Sequence, residues 1–149
     1  MATFHASAVL VGARAVLIRG PSGAGKSRLA LDLIEAGRTA RLPLARLVGD
    51  DRVELIAAHG RLLVRPAPTL AGLIEVRGAG IFQLQHEPCA VVGLVVDLAA
   101  NDAERLPEQR QVTLDSVKLP RLAVAPRVAA LPGVLAVLTL QSVTMDSKP

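Results

Sequence analysis

At 149 residues the chain has the length of one domain, and a domain of that size buries most of the apolar surface its unfolded chain exposes. Its 17 basic and 13 acidic residues leave a net charge of only +4, and the arginines are scattered from Arg14 to Arg127. A nucleic-acid surface needs a basic cluster interleaved with stacking rings, and at 1% aromatic residues neither is present, which argues against a nucleic-acid partner. A lone Cys89 excludes an intrachain disulfide and suits a reducing, cytoplasmic compartment. No apolar run nears the roughly 20 residues that span a bilayer, so no membrane association is expected: Arg14, Arg19 and Lys26 interrupt the N-terminal stretch.

Hydrophobic residues make up 51% of the chain, with Phe4 and Phe82 the only large rings, so the core must be built from Leu, Val, Ile and Ala. That composition suits a parallel or mixed sheet flanked by helix. Ser7 to Val11 and Ala15 to Ile18 read as a hairpin about Gly12-Ala13-Arg14. The second strand feeds the loop Gly20-Pro21-Ser22-Gly23-Ala24-Gly25. Beyond it Leu29, Ala30, Leu33 and Ile34 share one face of a helix, with Gly37 as its expected stop. Ala45 to Val48 is a strand ending in Gly49-Asp50-Asp51, and Val53 to Ala57 and Leu62 to Val64 form a second hairpin about His59-Gly60.

After the break at Pro66-Ala67-Pro68, Leu73 to Val76 resumes as a strand, and Gly78 and Gly80 mark a tight turn before Ile81. Val91 to Leu98, the most continuous apolar run, predicts a central strand. Residues Asn101 to Arg110 read as a surface loop, Val112 to Leu114 and Leu122 to Val124 as short strands, and Gly133 to Leu140 as a last helix with Pro132 in its first turn. One domain over residues 1–142 is expected, followed by a frayed polar tail over 143–149.

Gly20-Pro21-Ser22-Gly23-Ala24-Gly25-Lys26-Ser27 satisfies G-x-x-x-x-G-K-[ST], with an apolar strand before it and an amphipathic helix after it. The glycines let backbone N–H groups wrap a polyphosphate, and the helix N-terminus adds partial positive charge. The pattern predicts ATP binding, with Lys26 reaching the β- and γ-phosphates and the Ser27 hydroxyl on Mg²⁺. A second acid must approach the metal or the acceptor from a neighbouring strand end. Both Asp97, which closes Leu94-Val95-Val96, and the pair Asp50-Asp51 fit, and spacing does not decide between them. The adjacent acids suggest a division of labour in which one faces the hydrated metal and the other takes a proton from an incoming hydroxyl.

These residues resemble the HPr kinase/phosphorylase family, enzymes that phosphorylate a serine of a phosphocarrier protein and remove that phosphate again. Four features carry the likeness: His5, placed 21 positions before Lys26; Gly20 to Ser27; Leu47-Val48-Gly49-Asp50-Asp51-Arg52-Val53; and Ile74-Glu75-Val76-Arg77-Gly78-Ala79-Gly80-Ile81. The resemblance runs from about Phe4 to Val124. It implies an α/β fold with a P-loop core and mixed sheet, like that of phosphoenolpyruvate carboxykinases. It implies an HPr-type phosphocarrier of the phosphotransferase system as partner, ATP and Mg²⁺ as cofactors, and a homo-oligomer, hexameric in the family.

By the same resemblance Asp51 is the proton acceptor in the kinase direction, with Asp50 its rival; Lys26 and His5 act in catalysis; Ser27, Asp50 and Glu75 hold Mg²⁺; and Arg77 shapes the phosphoryl site. Glu75 and Arg77, two apart on a strand, are expected to project to one face. The chain departs from the family in several places. Ala6 replaces the glycine after the histidine, and the link from Gly37 to Asp50 is longer. The family's catalytic arginine in its Gly-Arg-Asn setting has only the displaced Arg127 as a counterpart. The family's N-terminal domain and much of its C-terminal helical region have no counterpart, so a catalytic core alone is expected. Two rival readings use the same loop: a small-molecule kinase or NTPase with Asp97 as its metal acid and a lid carrying Arg105 and Arg110, and a non-catalytic nucleotide sensor.

Overall fold

Both hairpins and the strand–loop–helix order read from the sequence are present in the computed structural model, which describes residues 2–103 and 111–140. Strands β1 (Phe4–Val11) and β2 (Arg14–Arg19) pair antiparallel across a two-residue turn, Val11 opposite Arg14, and α1 (Lys26–Arg38) follows the glycine loop. Next come β3 (Ala45–Gly49), the hairpin β4 (Arg52–Ala58) and β5 (Arg61–Pro66), and a short 3-10 turn at Pro68–Leu70. A two-stranded ribbon of β6 (Leu73–Val76) and β7 (Gly80–Gln83) precedes β8 (Ala90–Asp97), β9 (Gln111–Leu114), β10 (Val117–Ala123) and α2 (Ala130–Thr139).

Ala8 pairs with both Leu17 and Gly49, and Val95 with both Leu17 and Arg121, so the main sheet runs β3-β1-β2-β8-β10-β9. It is mixed: β2, β3, β8 and β10 run one way, β1 and β9 the other. The β4–β5 hairpin links the first residues of β1 to the first residues of β8 and lies over one face of this sheet. The other face carries the helices.

Side-chain alternation explains the two layers of core. Ala6 and Ala8 of β1 and Ala15 and Leu17 of β2 pack with Val53, Leu62 and Val64 beneath the hairpin. Val9, Val16 and Ile18 point the opposite way, onto Leu29, Ala30 and Leu33 of α1. In β8 the register slips, Ala15 facing Val92 and Val16 facing Leu94, so Gly93 is an extra residue. That bulge lets Val92 and Val95 join the hairpin layer while Leu94 and Val96 join the helical one, which is why the segment reads as a continuous apolar run. Phe4 and Phe82 are both exposed, so the core is wholly aliphatic.

Three sequence expectations are corrected. Gly37 does not stop α1; the helix continues to Arg38 and is capped at Thr39. A Cβ at position 37 would lie 2.6 Å from that of Ala45, so the glycine is there to let helix and strand touch. The strand foreseen at Leu122 to Val124 is the last part of a longer one that runs from Val117 and stops at Ala123, hidden because Lys118, Pro120 and Arg121 break its apolar pattern. The strand before the Gly78 turn ends at Val76, so Arg77 stands in the turn and not beside Glu75 on one strand. The tail over 143–149, Arg105 and Arg110 lie outside the described residues.

Candidate active site

The glycine loop carries the chain from the end of β2 to the start of α1. Gly25 caps the helix with φ of 101°, a left-handed conformation that a side chain resists, and no side chain bonds to the first-turn amides. No acidic residue occupies that first turn, so the positive end of the helix faces outward unneutralised. Lys26 folds back over the loop, its Nζ donating to the carbonyls of Gly20 at 2.8 Å and Pro21 at 3.2 Å.

Directly beneath lies Asp50, only 3% exposed at the end of β3. Ser27 Oγ donates to its carboxylate, with 2.7 and 2.9 Å to the two oxygens, and Ser7 Oγ donates to Oδ1 at 2.6 Å. The backbone N–H of Glu75 donates to Oδ2 at 3.1 Å, which ties the β6–β7 ribbon to the loop. Asp51 is turned the other way. Its backbone takes a left-handed φ of 69°, and its exposed side chain reaches within 4.0 Å of His5 Nδ1.

A cavity of about 570 Å³ gathers the predicted groups: Ser22, Gly23, Gly25, Lys26 and Ser27 from the loop, Asp51 from the β3–β4 turn, and Glu75 and Arg77 from the ribbon. Lys26, the hydroxyls of Ser22 and Ser27 and the guanidiniums of Arg28 and Arg77 thus share one space with two exposed carboxylates, Asp51 and Glu75. Ser27, Asp50 and Glu75 are hard oxygen donors suited to Mg²⁺. Among the described residues no three His, Cys, Asp or Glu side chains gather as a metal cage.

Two candidates fall elsewhere. Arg127, with φ of 68°, lines a second cleft of about 540 Å³ with Ala24, Arg28, Asp32, Leu98 and Val128; the two clefts share only Gly23, Gly25 and Arg28. Asp97 is clasped by Arg19, at 2.7 and 2.8 Å, and by Arg121, which also holds Asp102. Burial acts to raise the Asp97 carboxyl, but the hydrogen bonds and charges of Arg19 and Arg121 outweigh it and hold the group below the usual carboxylate range. The Asp102 and Asp97 bonds push Arg121 upward in turn.

Sequence reasoning missed Ser7, Arg19 and Arg121. Ser7 had one legible signal: it is the one hydroxyl in the run from Ala6 to Val11, otherwise made of Ala, Val and Leu.

The chain matches the family described as HPr Serine kinase C-terminal domain over residues 1–124. It is 36% identical over 126 residues to an HPr kinase/phosphorylase of Geobacillus thermodenitrificans, covering 75% of this chain and 38% of the relative. A Mycoplasma mycoides HPr kinase/phosphorylase is 40% identical over 80 residues, 54% of this chain and 23% of the relative. The chain therefore spans well under half the length of these curated relatives. The Hpr(Ser) kinase/phosphatase structure from Coxiella burnetii superposes with a TM-score of 0.74 at 24% identity, covering 93% of each chain, and so shares the mixed α/β fold. With the family match extending across both the glycine loop and the paired aspartates, the chain belongs to the HPr serine kinase C-terminal domain family.

Proposed function

We propose that this chain is an ATP-dependent serine kinase domain acting on an HPr-type phosphocarrier protein of the phosphotransferase system, with the reverse, phosphate-removing reaction named in its relatives open to the same residues. The observation that carries the reading is the split between the two aspartates: Asp50 buried and bonded to Ser27, Asp51 exposed in the cavity that Lys26 lines. The core is proposed to be of the P-loop kind shared with phosphoenolpyruvate carboxykinases.

In this reading the amides of residues 23–27 and the Lys26 ammonium hold the β- and γ-phosphates in line with the acceptor. Ser27, its proton given to Asp50, keeps lone pairs directed at the cavity, and Glu75 offers a further oxygen. Mg²⁺, when bound, neutralises charge on the phosphates. Asp51 takes the proton of the incoming serine hydroxyl, and His5 beside it assists. Arg77 faces the transferring group from the ribbon turn. Arg127 contacts the nucleoside end of ATP from the second cleft, in place of a direct catalytic part.

The small-molecule kinase reading loses its metal acid, because Asp97 is committed to two arginines. The proposal carries with it a cytoplasmic location, a homo-oligomer, and a single domain over residues 1–142. No helix among the described residues is long and apolar enough to cross a membrane. Labelled ATP offered with a panel of phosphocarrier proteins and small acceptors tests the assignment. Label on a carrier serine supports it, label on a metabolite transfers the site to small-molecule chemistry, and tight nucleotide binding without turnover makes the chain a sensor.

A further inference from the structure

We infer that Ser7 is a positioning residue of this site, and that its hydroxyl decides which of the two adjacent aspartates serves the metal and which takes the proton. The inference rests on the kinase reading above and assigns a residue that neither the sequence motif nor that reading uses.

Ser7 has no solvent exposure, and its neighbours Ala6 and Ala8 are both core residues. A buried hydroxyl is costly unless bonded, and this one is satisfied in both directions. It donates to Asp50 Oδ1 at 2.6 Å and accepts the backbone N–H of Asp51 at 3.3 Å. One oxygen atom therefore touches both members of the acid pair, across more than forty residues of chain.

The consequences for the two acids are opposite. Asp50 receives hydroxyl protons from Ser7 and Ser27 and the amide of Glu75, so its oxygens are occupied and its orientation is fixed toward Ser27. A carboxylate held this way orients a metal-binding hydroxyl well and is poorly placed to receive a substrate proton. Asp51 is gripped through its backbone. Ser7 accepts its N–H, and the Ala6 N–H donates to its carbonyl at 3.1 Å, so two consecutive residues of β1 hold the peptide units on both sides of the Asp51 Cα. That clamp holds Asp51 in its left-handed conformation and turns its side chain out to the cavity beside His5. Removing the Ser7 hydroxyl loosens both halves of the arrangement without touching the glycine loop.

The test uses the full chain, with Ser7→Ala, Ser7→Cys and Ser7→Thr beside the wild type. Three quantities are read: the Kd of a fluorescent ADP analogue in chelator, the Mg²⁺ concentration that half-saturates the metal-dependent part of that binding, and kcat for phosphoryl transfer. Ser7→Ala is expected to leave the metal-free Kd nearly unchanged, raise the Mg²⁺ half-saturation about tenfold and lower kcat by a similar factor, as loss of a group that orients a ligand does. Ser7→Thr, which keeps the hydroxyl, should restore both.

If Ser7→Ala does not fold, Ser7→Cys supplies the comparison, since a thiol is a weak donor of nearly the same shape. Equal Mg²⁺ half-saturation and kcat in the thiol and hydroxyl forms overturn the inference, as does a folded Ser7→Ala indistinguishable from wild type. A wild-type protein that binds no nucleotide overturns the kinase reading itself, and the role of Ser7 with it.

Discussion

Ser27 Oγ lies 2.7 and 2.9 Å from the two carboxylate oxygens of Asp50, 23 residues further along the chain. This contact joins the first turn of α1 to the end of β3 and leaves the neighbouring Asp51 as the exposed acid of the pair. Asp51→Asn should therefore lower kcat by about 10²–10⁴, the range of a lost general base, while the nucleotide Kd stays within about threefold. Steady-state kinetics and isothermal titration check both. A comparable loss of binding would give Asp51 a metal or structural role.

Asp97 makes a prediction about stability. Its folded pKa is held below the ordinary 3.8, so its contribution is fully present above that value and is lost as pH falls through the folded pKa. Asp97→Asn should cost about 2–3 kcal/mol near neutral pH, the scale of hydrogen bonds to charged groups. The gap to wild type should start to narrow as pH falls through about 3.8, where the unfolded chain's carboxylate takes up a proton, and should close once the folded carboxyl is protonated too. Urea unfolding at a series of pH values measures it. A gap that is constant down to pH 3 would contradict the charge account.

Local pattern made much of this molecule legible. The octapeptide from Gly20 to Ser27, the alternation in β1 and β2 and the turn at His59-Gly60 announce themselves within short windows. The choice between Asp50 and Asp97 did not, since both are acids at the end of an apolar strand. It is made by partners far off in sequence: Ser7 for Asp50, 43 residues away, and Arg19 for Asp97, 78 residues away. Arg127 lies beyond the stretch that resembles the family, and only the packing of the segment after β10 against α1 puts it in the second cleft. Gly37 shows the same limit from another side, because the spacing that suggests a helix stop says nothing of Ala45 pressed against it.

That last contact is testable. Gly37→Ala would raise helix propensity, but its new methyl would meet the Ala45 Cβ at 2.6 Å. Overpacking of this kind costs about 1–3 kcal/mol and should outweigh the gain of up to about 1 kcal/mol from replacing a helical glycine. A lower urea midpoint with an unchanged m-value is expected. A stabilised variant would mean that α1 and β3 have room to separate.

Arg127 offers a test of whether the two clefts differ in function. Since it lines the cleft with Asp32 and Leu98 and not the one with Asp51, Arg127→Ala should raise KM for ATP more than it lowers kcat. The reverse pattern, a fallen kcat with KM preserved, would return it to the transferring phosphoryl group.

The proposed transfer requires a polyphosphate seated over Gly23 to Ser27 with the acid pair opposite. A crystal structure with ADP and Mg²⁺ tests it most directly. It should show the β-phosphate bonded to those loop amides and to Lys26, and a cation on Ser27 next to Asp50. Asp51 should face the open side, where an acceptor hydroxyl enters. Nucleotide bound away from the loop, or a cation held by Asp97 in place of the Ser27–Asp50 pair, would contradict it.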